Sequence, residues 1–122
     1  MNKKQVDSLI PEAYLMLRDA GIAENGKIDK TRRGQISSFG AAVTTGSLLA
    51  AVSFFSVQES RGVPRRQLMD AIFRLIDHKN GSTDLFDYVV KSRQAGKEQI
   101  AKEEIINRAI ALKLAMNLYE LV

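Results

Sequence analysis

The stretch Gly46–Val57, GSLLAAVSFFSV, is the most apolar part of the chain. Written on a helix, its apolar residues fall into two rows. One row is Leu48, Val52 and Phe55, and the other is Ala50, Phe54 and Val57. A helix that is apolar nearly all round needs cover on several sides, so it belongs in a protein core or in a membrane. The stretch is therefore predicted to be the central helix on which the others pack.

A membrane span is the alternative to that interpretation. No charged residue occurs from Gln35 to Gln58, and about 20 such residues are enough to cross a bilayer. The same run contains many hydroxyl side chains together with Gly40 and Gly46, and its leucines do not offset the cost of inserting these polar groups. Because Gly46 also separates two shorter segments, the pattern favours two consecutive helices of a soluble protein.

Composition predicts a single domain covering residues 1–122. The apolar share of 45% and the charged share of 26% are those of an ordinary globular protein. The chain has no cysteine, which excludes disulfides, thiolate metal sites and a thiol nucleophile, and which fits a reducing cytoplasm. The first residues, MNKKQVDSLIPEAY, lack the apolar run of a secretory signal, so a cytoplasmic location is expected.

Apolar residues at spacings of three and four predict a first helix from Val6 to Ala20. Either Asp7 or Ser8 caps this helix, with Pro11 in the first turn, or Pro11 kinks a longer helix. A loop is predicted over 21–29, where Asn25-Gly26 is a turn signal, and a second helix over 30–45.

Further helices follow the apolar stretch. A fourth helix, carrying Leu68 to Ile76, is predicted to begin with Pro64 as its first residue, and Ser82 or Thr83 caps a short fifth helix. A long last helix runs from after Gly96 nearly to Val122. The chain lacks a convincing alternating strand pattern, so the predicted fold is all-α, a compact bundle of five to six helices around a central apolar helix.

The last helix carries more apolar residues than one core face needs. Its first row, from Ile105 to Tyr119, has heptad-like spacing. Its second row lies on another face and consists of Ile106, Ile110, Leu114, Leu118 and Leu121. A second row implies either deeper burial or a partner surface, so the first four of these residues are candidates for an interface.

Catalysis has little support in the sequence. His78 is the only histidine and has no neighbour at metal-binding spacing. Asp84 and Asp87 lie three residues apart, but this spacing suits the start of the fifth helix, where negative charge is favourable. We expect a protein that is not an enzyme and that needs no metal or cofactor.

Two clusters of basic residues are the strongest indication of a binding function. They consist of Lys27, Lys30, Arg32 and Arg33 before and within the second helix, and Arg61, Arg65 and Arg66 before the fourth. If the second and third helices are antiparallel neighbours, both clusters lie at one end of the molecule. A net charge of +4 and a pI near 9.5 also favour an anionic partner. The alternative is that these are solvated loop charges that bind nothing.

Seven positive groups at one end are sufficient to follow a phosphate backbone. No aromatic residue is interleaved with these arginines, so base stacking is not predicted. The expected mode is contact with the backbone without reading of sequence.

Four short segments resemble the small helical subunit of type III-B CRISPR effector complexes, the Cmr complexes. They are Ala13-Tyr14, Gly46-Ser47-Leu48-Leu49, Ala51-Val52-Ser53-Phe54 with Phe55, and the closing stretch EIINRAIALKLAMNL from Glu104 to Leu118. The resemblance implies a non-catalytic subunit of an antiviral ribonucleoprotein that lies along the guide–target RNA duplex. Several copies would stack into a filament beside the larger effector subunits.

The candidate RNA-binding residues come from the positions of the charges and are not carried over from that family. The small subunit of type III-A complexes is a helical protein of similar size and is a close alternative. A small helical adaptor that binds only other proteins is the alternative from a different class.

Overall fold

Six helices account for most of the chain in the computed structural model, which describes residues 1–59 and 61–122. The helices are α1 (Lys3–Asp19), α2 (Thr31–Thr45), α3 (Leu48–Phe55), α4 (Arg66–Leu75), α5 (Leu85–Gln94) and α6 (Glu98–Met116). Three two-residue strands form a minor sheet: β1 (Ala23–Glu24), β2 (Lys27–Ile28) and β3 (Glu120–Leu121). The predicted all-α bundle is confirmed.

The helix at the centre of the bundle is α6, which packs against α1, α2, α4 and α5. Its first apolar row supplies the contact, because Ile105, Ala109, Leu112 and Met116 are all buried. Nineteen residues give α6 enough length to reach four neighbours. The expectation that Gly46–Val57 forms the central helix was therefore wrong.

The apolar stretch instead forms the short helix α3, capped by the Ser47 side chain, which accepts a hydrogen bond from the Ala50 N–H. One of its rows, Leu48, Val52 and Phe55, is buried against α2, α4 and α5. The opposite side faces solvent, where Phe54 is 56% exposed and Val57 is 53% exposed. Although apolar residues surround α3, only one side of the helix is buried.

The first helix is longer than a cap at Asp7 or Ser8 would allow. Asn2 caps α1 by accepting a hydrogen bond from the Gln5 N–H, and Pro11 lies inside the helix. The alternative of a longer helix containing Pro11 was correct. At the start of α5 the cap is the Asp84 side chain, which accepts from the Asp87 N–H, and neither Ser82 nor Thr83 has that role.

The segment predicted as a loop over 21–29 is a β-hairpin. Asn25 and Gly26 both have positive φ angles, 54° and 77°, as a tight two-residue hairpin turn requires. β3 then pairs in parallel with β2, so the last helix ends at Met116 and does not continue nearly to Val122. The Tyr119 hydroxyl donates to the Tyr14 carbonyl at 2.6 Å, and the two rings stack at 4.6 Å.

The membrane alternative has no support from the helices. Among residues 1–59 and 61–122, no helix has both the length and the apolar character that are needed to cross a bilayer. The uncharged run from 35 to 58 is divided between α2 and α3, and Gly46 and Ser47 separate them.

Candidate nucleic-acid interface

The structure brings the two basic clusters together. The Arg32 guanidinium on α2 donates to the Pro64 carbonyl at 2.7 Å, and the Gln35 amide donates to the Val63 carbonyl at 2.8 Å. These bonds join the first half of α2 to the segment that precedes α4. We call the resulting surface the basic end, and it consists of Lys27, Lys30, Arg33, Arg61, Arg65 and Arg66.

Arg32 lies beneath this surface and does not belong to it. Arg32 is only 6% exposed, and its guanidinium donates hydrogen bonds to the Pro64 carbonyl and to the Gln67 side chain. Burial lowers the pKa of Arg32, although the charge of Asp29 opposes that shift. The prediction of Arg32 as an RNA contact was wrong, because its donors are used inside the protein.

Arg65 and Arg66 already interact with other parts of the chain. Arg65 forms an ion pair with Glu59 at 2.5 Å, and its guanidinium carbon lies 4.3 Å from the centre of the Phe54 ring. Arg66 donates to the Ser56 carbonyl at 3.5 Å and lies 4.0 Å from the Asp84 carboxylate. Both side chains keep some exposure, so they are partly neutralised cations at the rim of the surface.

The remaining four cations are more available. Lys27 on β2, Lys30 before α2 and Arg61 before α4 are exposed, whereas Arg33 is half-buried. In the described part of the chain, none of the four has a carboxylate within 4.0 Å. Lys30, Arg33 and Arg61 are therefore the groups of the basic end that are best placed to meet an external anion, whereas Lys27 lies in register opposite Glu24 on β1 and Glu120 on β3.

One acidic side chain also lies at the start of α2. The Asp29 carboxylate accepts a hydrogen bond from the Thr31 N–H at 2.9 Å. The backbone bond from Thr31 lowers the pKa of Asp29, and the Thr31 hydroxyl and the nearby charges of Arg32 and Lys30 lower it further. Asp29 thus stays ionised and caps α2 electrostatically, and its charge partly offsets the cations around it.

An exposed aromatic side chain lies beside the basic end, contrary to the sequence-based expectation. Phe54 projects from α3 under Arg65 and lines an open groove of about 480 Å³, here called the Phe54 groove. The groove is lined by Thr31, Gly34, Gln35, Ser38, Phe54, Phe55 and Arg65. The sequence did contain a signal, since Phe54 lies in the row of α3 opposite the buried row.

The proposed partner residues on and after α6 divide into two pairs. Ile106 and Ile110 are half-buried, pack against the core and line a groove shared with α2. Leu114 is 41% exposed, and Leu118, which lies beyond the end of α6, is 63% exposed. Leu15, which is 45% exposed, lines one groove with Leu118, and Leu114 precedes Leu118 by four residues. We call these three leucines the leucine face.

No protein-family model, no curated protein and no solved structure matches this chain. Within residues 1–59 and 61–122, no group of three histidine, cysteine, aspartate or glutamate residues is arranged to hold a metal ion. The surfaces of this chain that are suited to binding a partner are the basic end, the Phe54 groove and the leucine face.

Proposed function

We propose that this protein is a non-catalytic RNA-binding scaffold subunit of a type III CRISPR effector complex, acting in the cytoplasm. The observation that supports this most strongly is the position of Lys30 and Arg33 at the start of α2 and of Arg61 on the segment joined to it, with Lys27 on the preceding strand β2. Among the described residues, none of the four has a carboxylate within 4.0 Å. Like charges gathered at one surface repel one another, and a phosphate backbone removes that repulsion.

The proposed contact is with phosphates of guide or target RNA. Lysine and arginine side chains on flexible stems follow a backbone without reading base edges, so the binding is indifferent to sequence. Arg65 and Arg66 would contribute less than the four freer cations, because Glu59 and Asp84 already neutralise part of their charge.

Assembly with other effector subunits, and stacking of copies into a filament, is the second half of the proposal. The resemblance to the Cmr small subunit favours it, and so does the exposure of Leu114 and Leu118. Neighbouring exposed leucines are commonly covered by a protein partner, since burying them removes apolar area from water.

Binding to short RNAs of unrelated sequence tests the proposed contact with RNA phosphates. Fluorescence anisotropy would compare wild type with a variant in which Lys27, Lys30, Arg33 and Arg61 are replaced by Ala. The matched control removes the same number of positive charges elsewhere, at Lys3, Lys4, Arg74 and Lys97, all of which are exposed. We expect the first variant to lose affinity for every RNA by a similar factor, and the control to lose much less.

Equal losses in the two variants would mean that only net charge matters, and they would contradict a defined RNA surface. The second candidate function would then be preferred, a helical adaptor whose only partners are proteins. The observation that favours it is the leucine face, of which Leu15 and Leu118 line an almost wholly apolar groove with Ile10, Pro11 and Tyr14.

A further inference from the structure

Phe54 exposes a large aromatic ring to water next to a basic surface. The Phe54 residue is 56% exposed, while its neighbour Phe55 is 5% exposed and its ring packs edge-on against that of Phe39 at 5.3 Å. The core is therefore completed by Phe55 and does not need Phe54. An exposed ring of this size is a candidate contact for a flat apolar ligand.

Arg65 covers part of that ring. Its guanidinium carbon lies 4.3 Å from the Phe54 ring centre and 5.6 Å from that of Phe55, within the range of a cation–π interaction. Glu59 holds the guanidinium there through the 2.5 Å ion pair. A planar cation and an aromatic ring are thus fixed together, and both stack on nucleobases.

The Phe54 groove leaves room for such a ligand. Gly34 lies on the lining of the groove within α2, where glycine costs about 1 kcal/mol relative to alanine. Its φ angle is not left-handed, and a Cβ added there would meet no atom within 4 Å. Packing within the chain therefore does not require glycine at this position, and any larger side chain would project into the groove.

The charges around the groove fit a nucleotide. Arg65 is itself one of the residues that line the groove, and two further cations, Lys30 and Arg33, precede lining residues in the sequence. A base within a duplex has both faces covered by its neighbours, whereas an unpaired base can turn out and stack on a protein ring. Since every base has a π-face, such a site tolerates any sequence.

From these observations we propose that Phe54 and Arg65 form a stacking site for one unpaired nucleobase of single-stranded RNA. This inference rests on the proposed function and adds a second kind of contact to it. Phosphates are held by the cations of the basic end, and one unpaired base lies in the Phe54 groove.

Fluorescence of 2-aminopurine placed in a short single-stranded RNA tests the stacking directly, because stacking on an aromatic ring quenches the emission. We expect the full-length wild type to quench it, and Phe54→Leu to abolish the quenching and weaken binding about tenfold. Phe54→Tyr should restore both effects. The slope of affinity against salt should not change in Phe54→Leu, since no phosphate contact is lost.

Two further variants make the test specific to the groove. Gly34→Leu fills the groove and improves helix propensity, so it should remove the quenching without lowering the unfolding midpoint. Phe86→Leu is the matched control, because Phe86 is a 40% exposed ring on α5 and should have no effect.

RNA binding without quenching, or quenching that survives Phe54→Leu, would overturn the stacking site and leave the proposed phosphate contacts intact. Loss of quenching in Phe86→Leu equal to that in Phe54→Leu would also overturn it. Absence of any RNA binding would overturn both the stacking site and the proposed function.

Discussion

Arg32 carries a positive charge into the interior and holds two elements together with it. Its guanidinium donates to the Pro64 carbonyl and the Gln67 side chain while 6% of the residue is exposed. Removing this donor leaves two partly buried acceptors, the Pro64 carbonyl and the Gln67 side chain, without a partner, and that loss costs more than the hydrogen bond itself contributes. The residue thus positions the basic end without contacting anything outside the protein.

Arg32→Ala is therefore expected to lower the free energy of unfolding by about 2 kcal/mol. Urea unfolding followed by circular dichroism measures this. Arg61→Ala is the control, because Arg61 is exposed and its loss should change the unfolding free energy by less than about 0.5 kcal/mol. Equal midpoints for Arg32→Ala and wild type would contradict a structural role for this arginine.

Glu59 restrains Arg65 and also places a negative charge at the basic end. The Glu59→Gln substitution removes that charge, while its amide oxygen can still accept a hydrogen bond from the guanidinium that lies over Phe54. RNA affinity should increase about two- to fivefold, the range expected for releasing a partly exposed ion pair. The anisotropy assay would measure it, with Glu103→Gln on the exposed side of α6 as the control for a change in net charge. A decrease in affinity for Glu59→Gln would contradict this account of Glu59.

At the scale of elements, α3 and α6 show that the apolar pattern of a helix does not determine whether it lies at the centre of the bundle. The sequence identified both helices, since their apolar rows are regular. It did not identify which one is central, because the number of neighbours depends on length and on how the other helices cross. α6 has nineteen residues and α3 has eight, so only α6 extends past four partners.

The C-terminal segment is a second case in which local pattern was insufficient. Leu118 and Leu121 continue the helical spacing of the second row, yet the chain leaves α6 after Met116 and forms β3. Pairing of β3 with β2 joins residues about ninety positions apart in the sequence, as in the pair Ile28 and Leu121. Periodicity within one helix contains no information about such a contact.

The leucine face leads to a prediction at this scale. Replacing Leu114 and Leu118 together with Glu should disrupt self-association or docking, because burying two carboxylates in an apolar contact is costly. Both leucines are substantially exposed, so the fold should tolerate the change. Sedimentation velocity over a range of concentrations measures association, and circular dichroism verifies folding.

Ile100→Glu provides the matched control on the same helix, since Ile100 is 59% exposed and lies near the start of α6. It should leave association unchanged. A folded double variant that associates like wild type would remove the leucine face from consideration as an interface.

For the molecule as a whole, the sequence was sufficient for the helices. It placed the two basic clusters at one end only on the condition that the second and third helices are antiparallel neighbours, and it did not predict the roles of individual arginines. Arginine is normally a surface residue, yet Arg32 and Arg108 are buried and bond to backbone carbonyls. Whether an arginine faces water depends on which carbonyls other elements leave unpaired nearby, and those are fixed only by the tertiary structure. The Phe54 groove was missed for the same reason, since α2 and α3 create it together.

The charge distribution across the molecule determines how its RNA affinity should respond to salt. Each cation that neutralises a phosphate of single-stranded RNA releases a counterion and contributes about 0.7 to the slope of log affinity against log salt concentration. Cations far from the RNA contribute little to that slope, whatever the net charge. The slope therefore counts contacts, whereas a single affinity does not.

The most direct test of whether the basic end binds RNA is therefore a salt titration of RNA affinity. It compares wild type with the variant in which Lys27, Lys30, Arg33 and Arg61 are replaced by Ala. We expect the slope of the variant to be shallower than that of wild type by about 3, with the Lys3, Lys4, Arg74 and Lys97 control close to wild type. An unchanged slope in the first variant would show that these four cations do not contact phosphate and would contradict the proposed RNA surface.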